Sequence, residues 1–119
     1  MSYVLILDDS ELILQMLEMV CVGAGYTVQT ATSFSAACET VSRETPAVIV
    51  SDVHLPDLAT DPVTAFRGAG CESPVILVSG RPQAELDELA ASLGAKGAVS
   101  KDAGMMGMAQ TLPALIGPV

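Results

Sequence analysis

Five short apolar runs punctuate the chain, separated by stretches in which polar residues recur at three- and four-residue spacing. The first run, residues 3–7, is rich in β-formers and leads into Asp8-Asp9-Ser10. Over residues 11–22 the polar positions are Glu11, Gln15 and Glu18, which fall on one stripe of a helix whose other faces are apolar. Such a helix must pack against something large. Ser10 or Asp9 can cap its start, and Gly23 and Gly25 end it. Residues 27–31 alternate weakly, as a more exposed strand does, and Ser33 stands ready to cap a helix over 34–43. The third run, 47–52, is continuously apolar through Val48-Ile49-Val50 and ends in Asp52; a run of this kind predicts a strand buried on both faces of a parallel sheet. A fourth run, 74–78, ends in Ser79-Gly80, and a fifth, 97–100, ends in Lys101. Between them, residues 82–93 place Leu86, Leu89, Ala90 and Leu93 on one helical face, with Gly94 as the stop. The region after Asp52 is broken by Pro56, Pro62, Gly68 and Gly70 and has room for one short helix beginning near Asp61 or Pro62. Residues 105–116 have helical apolar spacing, but Gly107 and Pro113 predict a poor, short or kinked helix.

Strands alternating with helices predict an α/β fold: a three-layer sandwich around a parallel five-stranded sheet. The two strands that end in acids are the first and the third. In the doubly wound order 2-1-3-4-5 these are neighbours, and the topological switch point lies between them. With 119 residues, no repeat and no linker, the chain is expected to be one domain spanning 1–119, with no output domain of its own.

Composition narrows the function. Half of the residues are hydrophobic but aromatics are scarce, so the core must be built from Val, Ile, Leu, Met and Ala. The net charge of −9 argues against nucleic-acid or acidic-membrane binding, both of which need basic patches. It also makes each of the five Lys and Arg residues informative if one stands at a site. No apolar run approaches the length of a membrane span, which points to a cytoplasmic protein. Three widely spaced cysteines, Cys21, Cys38 and Cys71, fit free thiols rather than a disulfide or zinc site. The methionines, Met105, Met106 and Met108 among them, are expected to fill the core.

The candidate chemistry lies at the strand ends. Asp8 and Asp9, Asp52, Ser79 and Lys101 all fall at the same edge of the predicted sheet. Taken singly, each has a plainer role: acids cap helices or open turns, Ser-Gly turns, and lysines are solvated. Taken together they form a set. Three neighbouring carboxylates repel unless a cation is present, and hard oxygen ligands at a half-open site suit Mg²⁺. Mg²⁺, the Lys101 ammonium and the Ser79 hydroxyl can offset charge on a phosphoryl group in transfer, with Asp52 as nucleophile and acyl-phosphate acceptor.

On Asp8-Asp9, the segment Ser51-Asp52-Val53-His54-Leu55-Pro56-Asp57, the strand end Val75-Ile76-Leu77-Val78-Ser79-Gly80 and Lys101, the sequence resembles a receiver domain of a two-component response regulator over essentially its whole length. The resemblance implies a flavodoxin-like fold. It implies Mg²⁺ held by Asp9, Asp52 and the backbone carbonyl of His54, with Asp8 helping through water, and a phosphoryl group contacted by Ser79 and Lys101. It further implies a histidine kinase or phosphotransfer protein as donor, loss of the phosphoryl group by self-catalysed hydrolysis, and output through contact with a downstream protein. Arg81 and His54 occupy positions that in this family flank the site and tune dephosphorylation.

The departures from the family pattern are specific. Asp102 follows Lys101 where the family usually has proline on a cis peptide, so a trans peptide and a differently shaped loop are expected. Ala98 stands where an aromatic ring usually reports phosphorylation, and Ala59-Thr60 stands where Asp-Gly usually follows the acceptor loop. These suggest an alternative, a receiver-like interaction module that works largely without phosphorylation. A phosphatase of the haloacid dehalogenase type is a third reading, but it wants a second Asp where His54 stands. His54 itself reads as a partly exposed loop residue.

Overall fold

The computed structural model describes residues 2–119. Its elements follow in the order β1 (Val4–Leu7), α1 (Glu11–Gly23), β2 (Val28–Ala31), α2 (Phe34–Arg43), β3 (Val48–Asp52), α3 (Pro62–Gly68), β4 (Val75–Ser79), α4 (Gln83–Leu93), β5 (Gly97–Ser100), a 3₁₀ turn (Lys101–Ala103) and α5 (Gly104–Ile116). All strand pairings are parallel, and the sheet order is β2-β1-β3-β4-β5, the order expected, with the acid-tipped strands as neighbours.

Successive strand side chains point to opposite faces, so each strand feeds two cores. Leu5, Leu7, Ile49, Val75, Leu77 and Ala98 face α2, α3 and α4, where Ala37, Phe66, Leu86 and Ala90 cover them. Val4, Ile6, Val50, Ile76, Val78 and Val99 face α1 and α5, where Leu14, Leu17, Met108, Leu112 and Ile116 cover them. Both faces are sealed, which is why β1, β3 and β4 read as continuous apolar runs. β2 lies at an edge and is largely exposed, matching its weak alternation.

Ser10 and Ser33 cap α1 and α2 as the sequence suggested, accepting from backbone N–H groups in the first turns, and Asp61 does the same for α3. Gly94 ends α4 in the left-handed region at φ 74°. The Lys101–Asp102 peptide is trans, as are all peptides among the described residues, and the chain turns there through one 3₁₀ turn.

Three expectations need correction. α5 is neither short nor poor: it runs 13 residues through Pro113. Packing overrides propensity, since Met108, Leu112 and Ile116 are fully buried. The far end is also tied down, by the Lys96 ammonium donating to the Ile116 carbonyl at 2.7 Å and the Tyr26 hydroxyl donating to the Gly117 carbonyl at 2.7 Å. Gly107 is no defect there, because a Cβ would stand 2.7 Å from the Ala103 Cβ. Second, α1 is covered on one side only: Leu12, Met19 and Val22 are exposed. Third, the methionines do not all fill the core. Met108 does, but Met105 and Met106 are exposed and, with Met19, line or flank a groove between α1 and α5. The three cysteines are free, Cys21 and Cys71 buried and Cys38 partly so. Burial pushes the Cys21 thiol up to about 11, so it is inert.

Candidate functional site

The site follows from the strand order. β1 and β3 lie side by side, and their connections leave in opposite directions, which opens a crevice beyond their carboxyl ends. Asp8 and Asp9 follow β1; Asp52 is the last residue of β3 and pairs in register with Val78, so Ser79 sits one step beyond it at the end of β4. Lys101 follows β5 directly.

Carboxylate oxygens of Asp8, Asp9 and Asp52 all lie within 4.8 Å of one another. Asp8 is buried, Asp52 nearly so, and Asp9 faces solvent. The Lys101 ammonium stands 3.0 Å from Asp8 Oδ2 and 3.3 Å from Asp52 Oδ2. Each carboxylate is steered by its own loop: Asp8 Oδ1 accepts from the Ser10 N–H at 2.9 Å, and Asp52 Oδ1 accepts from the His54 N–H at 3.2 Å. Burial pushes the Asp52 carboxyl above its ordinary range. The His54 N–H and Lys101 pull against this, and the Asp8 charge adds to it. For Lys101, burial alone would lower the value, but Asp8 and Asp52 together outweigh it and hold the ammonium charged.

One lysine does not exhaust the ligand capacity of three carboxylates. Asp8 Oδ2 is buried, and the partner it faces is the Lys101 ammonium at 3.0 Å, which can occupy one of its two lone pairs. A buried carboxylate oxygen with a lone pair left over, beside two further carboxylates, suits a hard divalent cation. Asp8, Asp9 and Asp52 are the side chains that could hold one.

Some of the site was out of reach of the sequence. The exposed His54 imidazole meets the Arg81 guanidinium, Nε2 to Nη2 at 3.1 Å, across the mouth of the crevice. A guanidinium can only donate, so Nε2 accepts. Ser79 Oγ accepts from the Arg81 N–H at 3.3 Å. Asp57, an unremarked loop acid, reaches back to accept from the N–H groups of Phe34 and Ser35 at the start of α2, at 2.9 and 3.0 Å. No local spacing signals either contact, since the partners lie 27, 22 and 23 residues apart.

Comparison with known proteins agrees with this geometry. Residues 4–112 match the model of the response regulator receiver domain. The chain is 31% identical over 105 residues to the transcriptional regulatory protein KdpE of Mycobacterium tuberculosis (strain ATCC 25618 / H37Rv), an alignment covering 88% of this chain and 46% of that protein. It therefore spans about half the length of the curated relatives it matches. Among solved structures, the chemotaxis response regulator CheY4 of Vibrio cholerae superposes with a TM-score of 0.78 at 28% identity, covering 97% of this chain and 98% of that one. The receiver domain of NtrX from Brucella abortus shares the fold, with a TM-score of 0.78 at 19% identity, over 95% of this chain and 97% of that one. The chain belongs to the response regulator receiver domain family, and its role is that of a receiver in two-component signalling. Receiver domains work with histidine kinases and generally bind Mg²⁺ at an acidic pocket, and an acidic cluster is present here. Family membership leaves the haloacid dehalogenase reading without support. Among the described residues no helix is long and apolar enough to cross a membrane.

Proposed function

We propose that this receiver accepts a phosphoryl group on Asp52 from a phosphohistidine of a histidine kinase or phosphotransfer protein, in a Mg²⁺-dependent reaction in the cytoplasm. The observation that carries the reading is the meeting of three carboxylates within 4.8 Å with one ammonium at 3.0 and 3.3 Å. A carboxylate oxygen of Asp52 attacks phosphorus in line. The phosphorus–nitrogen bond of the donor breaks, and its electron pair stays on the departing imidazole. The His54 N–H and the Lys101 ammonium keep the Asp52 oxygens fixed and oriented before attack. Lys101 and the Ser79 hydroxyl then offset charge on the transferred group. Asp8, Asp9, Asp52 and the backbone carbonyl of His54 would hold Mg²⁺, which would supply electrostatic stabilisation of developing negative charge. Water attack on the acyl phosphate restores the carboxylate.

Output passes through protein–protein contacts, because a domain with net charge −9 is a poor ligand for polyanions. One observation favours a second reading, in which partner binding is independent of Asp52: Ala98 is a small residue packed into the core beneath α4, so no ring is available there to turn with the state of the site.

Incubation with acetyl phosphate and Mg²⁺ should add the mass of one phosphoryl group to the wild-type chain and none to Asp52→Asn. An unlabelled wild type would sink the phosphoacceptor reading. Partner binding that survives Asp52→Ala unchanged would favour the second.

A further inference from the structure

The loop from Ser79 to Pro82 carries one side of the site, yet α4, which follows it, begins without a side-chain cap. Its anchorage comes from elsewhere. β5 is the last strand of the sheet, with β4 as its one neighbour. The Ala98 carbonyl and the Ser100 N–H lie two residues apart and so point the same way, as a free strand edge presents them. The side-chain amide of Gln83, the first residue of α4, takes both. Its Nε2 donates to the Ala98 carbonyl at 2.9 Å, and its Oε1 accepts from the Ser100 N–H at 3.0 Å. The amide thus offers β5 the donor and acceptor that the N–H and C=O of one residue of a sixth parallel strand would. Asp87, one helical turn on, accepts the second Nε2 hydrogen at 2.9 Å and fixes which way the amide faces.

Ser100 completes the junction. It is buried, and its hydroxyl donates to the Arg81 carbonyl at 2.8 Å while accepting from the Asp102 N–H at 3.2 Å. Arg81 in turn donates its N–H to Ser79 Oγ at 3.3 Å, which leaves the Ser79 O–H to donate elsewhere. A continuous set of hydrogen bonds therefore runs from Ser79, through Arg81 and Ser100, to the residues on either side of Lys101. Gln83 closes it against the strand.

We infer that Gln83 is a positioning residue for phosphoryl transfer: it fastens the loop bearing Ser79 to the strand end bearing Lys101 and so fixes the spacing of the two groups that receive the phosphoryl oxygens. The inference rests on the phosphoacceptor reading above. Gln83 touches neither the acceptor nor the acidic cluster, so its effect must fall on the rate of transfer and not on metal affinity. Its exposure makes substitution safe for the fold.

The test compares the wild type with Gln83→Ala and with Gln83→Met, which keeps the stem and removes the amide. Phosphorylation by acetyl phosphate is followed by intact mass at varied donor concentration, Mg²⁺ affinity by calorimetry, and exchange of the Ser100 amide hydrogen by NMR. Both variants should lower the saturating rate about tenfold, the loss that one or two displaced hydrogen bonds produce, with the half-saturating donor concentration and the Mg²⁺ affinity unchanged. The Ser100 amide should exchange faster in both. Wild-type rates in the variants, an unaltered Ser100 amide, or a parallel loss of Mg²⁺ affinity would each overturn the inference while leaving the phosphoacceptor reading intact. A wild-type chain that takes no phosphate would instead defeat that reading, and this inference with it.

Discussion

Asp52 is an expensive residue in the absence of a cation. It is 5% exposed and lies within reach of two more carboxylates, with a single ammonium shared between itself and Asp8. Burial raises its folded pKa above the ordinary 3.8. An acid shifted in that direction binds its proton more tightly when folded, so stability falls as pH rises from 3.8 through the folded value. At neutral pH the ionised group is therefore a net cost, which Asn in its place would not carry. Without divalent metal, Asp52→Asn should melt about 3 °C above the wild type, equivalent to roughly 1 kcal/mol in a chain of this size. A lower Tm measured by circular dichroism would mean that the Lys101 ion pair outweighs the desolvation. A functional residue that strains the fold in this way fits a site built for ligand rather than for stability.

Between elements, the loop after β3 is tied to the start of α2. Asp57 docks its two carboxylate oxygens onto the first N–H groups of α2, where the helix dipole also favours negative charge. The Ser35 and Phe34 N–H groups hold its carboxyl below the usual range. That shift stabilises the fold above pH 3.8 and is lost as pH falls through the depressed value. Asp57→Ala should cost about 1 kcal/mol in urea unfolding near neutral pH, the usual loss for a helix cap, and the difference from wild type should shrink as pH falls through the depressed value. The α2 start was legible from Ser33, which caps from three residues before Ala36. The second cap was not, because Asp57 lies 22 and 23 residues further along the chain. For the same reason α5 looked weak on its own residues: Gly107 and Pro113 lower its intrinsic propensity, while Met108, Leu112 and Ile116, Tyr26 and Lys96 restore it from outside.

For the whole molecule, the acidic cluster couples ligand binding to stability. A cation that binds the folded cluster, and not the dispersed carboxylates of the unfolded chain, stabilises by mass action. At a hundredfold excess of Mg²⁺ over its Kd the wild type should gain about 2.7 kcal/mol, read as a rise in Tm that a chelator reverses. Asp8→Asn and Asp9→Asn should lose most of that rise. An equal rise in all three chains would place the bound metal elsewhere. The gain should exceed that of Asp52→Asn without metal, since a bound cation would offset the repulsion among all three carboxylates.

The five buried or half-buried strands, their alternation with helices and the acids, serine and lysine at their ends were legible along the chain, because periodicity and caps are local properties that a chain displays before it folds. The handedness of crossovers limited the possible sheet orders, and the acids at the ends of β1 and β3 favoured the one observed. The tertiary structure decided everything that depends on partners far apart in sequence. It chose which apolar side chains of α1 and α5 stay exposed and let a glycine- and proline-bearing helix stand. It joined Asp57 to α2, His54 to Arg81 and Gln83 to the edge of β5. At the site it brought Lys101 to an Asp52 that lies 49 residues earlier and to Asp8 as well. The residue types announced the chemistry, but hydrogen-bond satisfaction and burial are properties of the packed molecule, and no spacing along the chain encodes them.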